Sequence, residues 1–275
     1  MKHHIAILFH ESDRAVVNHY AISGLADVWR DDGHTVSNIF GTGKFIDADL
    51  ILVHVDLSVV PDEYISFARQ YPIALNDHLR DIRKSTFSSY LLKPHDDYRG
   101  QVLVKSNLNC AGIPESFRMK KGFLQRLTAR LTGSDSFREP ADYLVYESLQ
   151  EVPRKWFRSK DVVVQRFCPE REEGLYHVRI YSFLGDSYTC VRLASSSPIV
   201  NDRSFVHSES VEVHPEIEKM RRELKFDYGK FDYVLHNGEP VLLDINKTTG
   251  AAGNVTPQIQ AMRVHRARGI YSYFK

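Results

Sequence analysis

The sequence predicts a small α/β domain over residues 1–94, followed by an α+β domain over residues 95–275. Three observations carry that division. Short apolar runs alternate with amphipathic stretches up to residue 93. The segment Pro94-His-Asp-Asp-Tyr-Arg-Gly100 then breaks the pattern. Beyond it, hairpin signals are interleaved with helices, which points to antiparallel pairing.

Each element follows from its local pattern. The run Ile5-Ala-Ile-Leu-Phe9 reads as a buried strand. The spacing of Val17, Tyr20, Leu25 and Val28 predicts a helix over 15–30, stopped by Asp31-Asp32-Gly33. Residues 35–40 read as a second strand and 49–55 as the clearest buried one. Pro61 suits the first turn of a helix running to Tyr71, and 73–75 is a further strand ending at Asn76-Asp77. This β-α-β-β-α-β order implies a parallel sheet with helices on its faces. No GxGxxG follows the first strand, so a dinucleotide site there is disfavoured. Residues 80–93 look helical. After the break, 101–105, 143–147 and 162–167 read as strands, and 115–131 as a basic helix carrying Arg118, Lys120, Lys121, Arg126 and Arg130. Residues 176–183 and 188–194 form a hairpin across Leu184-Gly-Asp-Ser187. A helix over 215–224, a hairpin of 231–235 with 240–245 and a helix over 256–271 complete the chain.

Charge and composition exclude several functions. Thirty-six basic side chains balance 35 acidic ones, for a net charge of +1. Such a chain has no global field to hold nucleic acid or an anionic membrane. No apolar run approaches the roughly 18–20 residues that span a bilayer, and the N-terminus lacks a signal-peptide pattern. Cys110, Cys168 and Cys190 are odd in number and widely spaced, as expected of reduced thiols in a cytoplasmic protein. No HxxxH, HExxH or GxSxG occurs, and Gly41-Thr-Gly-Lys44 lacks P-loop spacing. A homodimer, the commonest closed assembly, is the default oligomer.

The densest chemical signal is the second hairpin. Its turn at His236-Asn-Gly-Glu239 brings Asp232 and Asp244 side by side, although they are distant in sequence. Asp244 and Asn246 are two residues apart, so both project from one sheet face. Two carboxylates and an amide carbonyl converging on a point are hard oxygen ligands, suited to Mg²⁺ carrying nucleotide phosphates. The apolar neighbours Val241, Leu242, Leu243 and Ile245 place these acids at the end of a buried strand, where an unpaired carboxylate would be costly.

This segment resembles the last metal-binding hairpin of the ATP-grasp enzymes: an acid, a short turn, an acid-x-Asn, then a small polar run and Gly. Asp244 stands where that family usually has Glu, and Thr249-Gly250 where it has Pro-Gly. The resemblance covers about residues 76–250 and is nearest to the carboxylate–amine ligases, of the glutathione synthetase and ribosomal-protein glutamate ligase kind. It implies a two-lobed ATP-grasp domain after the N-terminal one. It implies that Asp232, Asp244 and Asn246 hold Mg²⁺ (with Mn²⁺ as an alternative ion) and that Asn246 also serves catalysis. Lys105 and Lys84 would contact ATP phosphates. Gln165, Arg166 and Phe167 would lie on the hinge strand that receives adenine. The ribose acid would come from Glu170, Glu172 or Glu173, with Glu173 counted among the nucleotide contacts. Arg179 and Arg192 would stabilise the transferred phosphoryl group, and His177 stands where an Asp is common. The loop Asn107-Leu-Asn-Cys-Ala-Gly112 follows where the family has a Gly-rich phosphate loop.

The function so implied is an ATP-dependent ligase joining a small-molecule or peptide carboxylate to an amine or thiol. A kinase of the same fold and a non-catalytic nucleotide-binding partner are the alternatives. His10, Glu11, Asp13 and Arg14, just after the first strand, are the expected acceptor-pocket residues, because ligands of open α/β sheets gather beyond the carboxyl ends of strands.

Overall fold

A computed structural model describes residues 1–118, 137, 142–200, 205–251 and 253–274. The N-terminal apolar runs form β1 (His4–Phe9), α1 (Ala21–Asp31), β2 (Thr35–Phe40), β3 (Leu50–Val53), α2 (Asp62–Ala68) and β4 (Ile73–Leu75). The four strands pair in the order β2-β1-β3-β4, all parallel. β1 from Ile5 onward and all of β3 are apolar because helices bury both faces. α1 packs Ile22, Leu25 and Trp29 against Ile5, Ile7 and Phe9; α2 packs Tyr64, Ile65 and Phe67 against Ala6, Leu8 and Ile51. The helix read over 15–30 begins only at Ala21. Its approach is spent in 3-10 turns, because Tyr20 forms a bridge with Gly250 and the Ala21 N–H donates to the Thr249 carbonyl at 2.8 Å.

The helix expected over 80–93 shrinks to α3 (Lys84–Phe87). Both flanks are drawn into other pairings. Val60 N–H donates to Arg80 O at 3.0 Å and Ile82 N–H to Ser58 O at 2.9 Å, while Leu92 N–H donates to Val164 O at 2.8 Å. A small antiparallel sheet follows, built from β5 (Val102–Ser106), β6 (Leu144–Tyr146) and β7 (Val162–Arg166) in the order β6-β5-β7. Between β5 and β6 lies α4 (Ile113–Arg118). The rest of the basic helix read over 115–131 falls outside the described residues from 119 to 131.

The large sheet contains β8 (Glu170–Glu172), β9 (Leu175–Leu184), β10 (Ser187–Ser195) and β11 (Phe205–Ser210). After α5 (Pro215–Glu223) it is completed by β12 (Tyr228–His236) and β13 (Glu239–Asn246). The order is β11-β10-β9-β12-β13, with β8 also paired to β9. α5 covers one face, where Ile217 packs with Tyr181, Phe183, Phe231 and Tyr233. β8 and β11 are strands that hydrophobic patterning misses, because their residues are mostly polar or exposed.

α6 (Pro257–Ala267) is capped by Thr256, whose hydroxyl accepts from the Ile259 N–H at 3.3 Å. The chain then tightens into a 3-10 turn rather than continuing as α-helix to 271. α6 returns to the N-terminal sheet. The Trp29 indole N–H donates to Ala267 O at 2.9 Å, and Leu184, Tyr228, Ala267 and Ile270 share one core with Ile5, Ile7 and Trp29. Asn76 joins the same two regions. Its side-chain amide donates to Tyr228 O at 2.8 Å, and its oxygen accepts from the Asp227 and Tyr228 N–H groups at 3.1 Å. Among the described residues no helix is long and apolar enough to cross a membrane.

Candidate active site

The site begins with a turn. Asn237 and Gly238 both have left-handed φ, 54° and 84°, the backbone that closes a two-residue hairpin and that Asn-Gly favours. The turn sets a register in which Asp232 faces Asp244 and Lys230 faces Asn246. The register then shifts between Asp232 and Tyr233, leaving Leu243 as an extra residue. In a regular strand Val241 and Asp244 would project from opposite faces. The bulge puts both on the face that carries Val234 and Asp232.

Two ammonium groups pair with the two carboxylates, and a third lies close by. Lys84, at the start of α3, is only 1% exposed and lies 3.0 Å from Asp244 Oδ1; it also donates to Leu108 O at 3.0 Å. Lys230 donates to both oxygens of Asp232, at 2.9 and 2.7 Å. Lys105, on β5, donates to the Leu243 carbonyl at 2.8 Å, an acceptor that the bulge turns outward. Burial, with Lys84 adding to it, pushes the Lys105 pKa down to about 7; Asp244 and Asp232 offset only part of that. Burial also works against the charge on Lys230, but contact with Asp232, supported by Asp244, holds its pKa above the ordinary lysine value.

Above this charged floor is a cleft of about 340 Å³. Its apolar walls include Leu103 from β5, Phe167 after β7, Val178 and Ile180 from β9, Leu193 from β10 and Leu243. An apolar slot ending in cations and hard oxygen ligands suits a planar base linked to phosphates.

The cleft gathers Lys84, Lys105, Gln165, Phe167, Asp232, Asp244 and Asn246 from the residues singled out in the sequence. It also holds Lys230, which the sequence reading passed over. The signal was present: Lys230 precedes Asp232 by two residues, the same spacing that puts Asn246 beside Asp244.

Arg179 and Arg192 are not brought to the cleft. Ile180 is the residue opposite Asp232, whereas Arg179 faces Tyr233, so Arg179 projects from the other side of the sheet. Arg192 is its cross-strand partner. The two guanidiniums converge, as their alternation suggested, but onto acids. Glu170 accepts from Arg179 Nη2 at 2.9 Å, Arg192 Nε at 2.9 Å and the Leu235 N–H at 2.7 Å. Arg192 also pairs with Glu172, and with Glu209 at 3.1 Å. Burial pushes the Glu170 carboxyl up, but hydrogen bonds from Arg179 and Leu235 outweigh it and hold the pKa below the usual range. Glu170 is therefore committed to this network. Replacing it with Gln should destabilise the fold by about 1–3 kcal/mol, because Arg179 loses its acidic partner while Arg192 keeps Glu172 and Glu209. A thermal denaturation midpoint equal to wild type would refute that role.

Other expected contacts also lie outside the cleft lining. Arg166 is exposed and stacks over Tyr98 and Tyr90, at 5.2 and 5.9 Å from the ring centroids. Glu173 sits at left-handed φ in the exposed β8–β9 turn. The Phe167 N–H, a natural donor for a base, is bonded to Gln101 O at 2.8 Å. Of the residues after β1, Asp13 is buried and Arg14 lies over the Phe40 ring at 4.5 Å.

No family model matches the chain, and no curated protein matches it. Solved structures do. The RimK domain protein ATP-grasp from Sphaerobacter thermophilus DSM 20745 superimposes with a TM-score of 0.52 at 12% identity, covering 98% of each chain. The ATP-grasp ligase PsnB, complexed with minimal precursor, Mg and ADP, gives a TM-score of 0.54 at 10% identity, covering 98% of this chain and 97% of that one. These superpositions, each over nearly the whole chain, show that the chain has the ATP-grasp fold.

Proposed function

We propose that the chain is an ATP- and Mg²⁺-dependent ligase that activates a carboxylate as an acyl phosphate for attack by an amine or thiol. The observation that carries this reading is the convergence of Asp232, Asp244 and Asn246 with Lys84, Lys105 and Lys230 at the floor of one apolar cleft. The donor set fits magnesium. Among the described residues no group of three His, Cys, Asp or Glu side chains could cage a metal. Two carboxylates and an amide instead leave room for the phosphate oxygens and waters that Mg²⁺ keeps. Mn²⁺ would be accepted by the same oxygens.

Bound there, the ion would neutralise charge on the β- and γ-phosphates. The protein's own groups would do the rest. Asp232 and Asp244 are paired with Lys230 and Lys84; with those carboxylates holding the ion, the two ammonium groups would be free to meet phosphate. Lys230, held beside Asp232 in the cleft, would offset charge as the γ-phosphoryl passes to a substrate carboxylate, since phosphoryl transfer is chiefly positioning and electrostatics. The apolar walls exclude water from an acyl phosphate. Amine attack on the acyl carbon then expels phosphate and forms the amide, leaving ADP. Small-molecule or peptide acids and amines are the substrate classes that this chemistry takes.

Trapping tests the reading. With ATP, Mg²⁺ and hydroxylamine, a panel of carboxylates should yield a hydroxamate in step with ADP. A phosphoester, or no ADP with any acceptor, would overturn it.

Lys105 makes nucleotide binding depend on pH. Its ammonium must be charged to meet phosphate, and its pKa in the free protein is about 7. Affinity should therefore fall as pH rises through that value, and binding above it should take up a proton. Titration calorimetry at pH 8 in buffers of different ionisation heat should show this uptake, and Lys105→Met should abolish it. Lys247 is also pushed to about 7, but its ammonium contacts the carbonyls of Leu79 and Arg80 at 3.4 and 3.5 Å, away from the cleft.

A further inference from the structure

Asn246 belongs to the cleft, yet its carbonyl oxygen is contested. Oδ1 accepts the Thr248 N–H at 2.8 Å, and the Thr248 hydroxyl oxygen lies 3.4 Å away. An amide oxygen has two lone pairs. The N–H occupies one, so a cation must use the other, and the hydroxyl is near enough to compete for it. That hydroxyl carries a single proton and has a second acceptor in reach. Asp56 Oδ1 lies 2.6 Å from Thr248 Oγ1. The charged, shorter partner takes the proton.

Asp56 comes from the N-terminal sheet. It follows β3, at the carboxyl edge of the parallel sheet, and the Tyr20 hydroxyl donates to its second oxygen at 2.9 Å. That bond fixes the direction of the carboxylate and keeps Oδ1 aimed at Thr248.

We infer that Asp56 is a positioning residue that draws the Thr248 hydroxyl proton away from Asn246 Oδ1, keeping that lone pair open for a divalent cation. The inference rests on the reading that Asp232, Asp244 and Asn246 hold such a cation. Without Asp56 the hydroxyl turns to Asn246 and blocks the ligand. The N-terminal sheet thus sets the affinity of a metal site to which it contributes no ligand.

The test is Mn²⁺ binding in the presence of ADP, followed by electron paramagnetic resonance of the free ion on the full chain. Asp56→Leu should weaken Mn²⁺ binding by about 10–100-fold, the usual scale for removing a partner that orients a metal ligand. Thr248→Val has no hydroxyl to compete and should bind within about twofold of wild type. The decisive result is the double variant. Asp56→Leu with Thr248→Val should recover most of the lost affinity, which a packing or folding role for Asp56 would not produce. Asp56→Asn keeps a weaker, neutral acceptor and should show a smaller loss, again reversed by Thr248→Val; it carries the test should Asp56→Leu fail to fold by circular dichroism. Unchanged Mn²⁺ affinity in the Asp56 variants, or a double variant as weak as the single, overturns the inference while wild-type binding leaves the ligase reading standing. A wild-type chain that binds no Mn²⁺ with ADP overturns both.

Discussion

Asp244→Asn is expected to lower ADP release by about 10²–10³-fold, the loss typical of removing one aligned electrostatic partner of a transition state. The substitution keeps the shape of the side chain and removes its charge. Two consequences follow from the geometry. The metal site keeps one carboxylate instead of two, so saturation by Mg²⁺ should need a higher concentration. Lys84, 3.0 Å away and almost wholly buried, also loses its counter-ion. A thermal midpoint below wild type should accompany the kinetic loss, since stranding a buried charge costs about 3–5 kcal/mol. Steady-state ADP release across a Mg²⁺ titration checks the first effect and denaturation the second. ADP release equal to wild type would remove Asp244 from the site.

The second large effect is expected at Lys230. Lys230→Met should reduce kcat by about 10²–10³-fold with a much smaller change in KM for ATP, the pattern of an interaction made chiefly in the transition state. Lys230→Arg should recover part of the rate, because the charge is kept while its geometry changes. The opposite split, an unchanged kcat with a raised KM, would make Lys230 an ordinary phosphate contact. Its hold on Asp232 makes a further readout available. With that partner gone, Asp232 should bind the cation more readily, so Lys230→Met should need less Mg²⁺ than wild type for half-maximal nucleotide binding.

These two residues show what a sequence does and does not disclose. Asp244 is legible because its placement needs only a turn and a two-residue period. Asn237-Gly238 closes the hairpin, and alternation then puts Asp244 and Asn246 on one face. Lys230 obeys the same period and was readable in principle. Arg179 and Arg192 were legible as cross-strand neighbours but not as residents of a particular face. Which face they take depends on how β9 pairs with β12, a register between segments some fifty residues apart that no local pattern encodes. The acids that bind them lie on β8 and β11, strands without an apolar alternation.

The N-terminal sheet was readable for the converse reason. Strands buried on both faces leave continuous apolar runs, and β1 and β3 are such runs. The helix expected over 80–93 was misleading because its flanks have distant partners. Residues 80–82 bond to 58–60, and Leu92 bonds to Val164. Helical spacing there is real but loses to pairings that only the folded chain supplies. The bulge at Leu243 is a further feature without a sequence signal, although it aims the carbonyl that receives Lys105.

The return of α6 to the first sheet has a consequence for synthesis. A ribosome makes the chain from one end, and the strands of residues 4–75 emerge well before residues 257–270. Yet the apolar surface that they present to α1 is completed by Leu184, Tyr228, Ala267 and Ile270. That layer must therefore wait, partly uncovered, until Ala267 and Ile270 have left the exit tunnel. A nascent chain stalled before residue 257 would carry that greasy patch into the crowded cell, where chaperones bind and aggregation begins. Trp29, whose indole meets Ala267, would report by its fluorescence the moment the layer is finally closed.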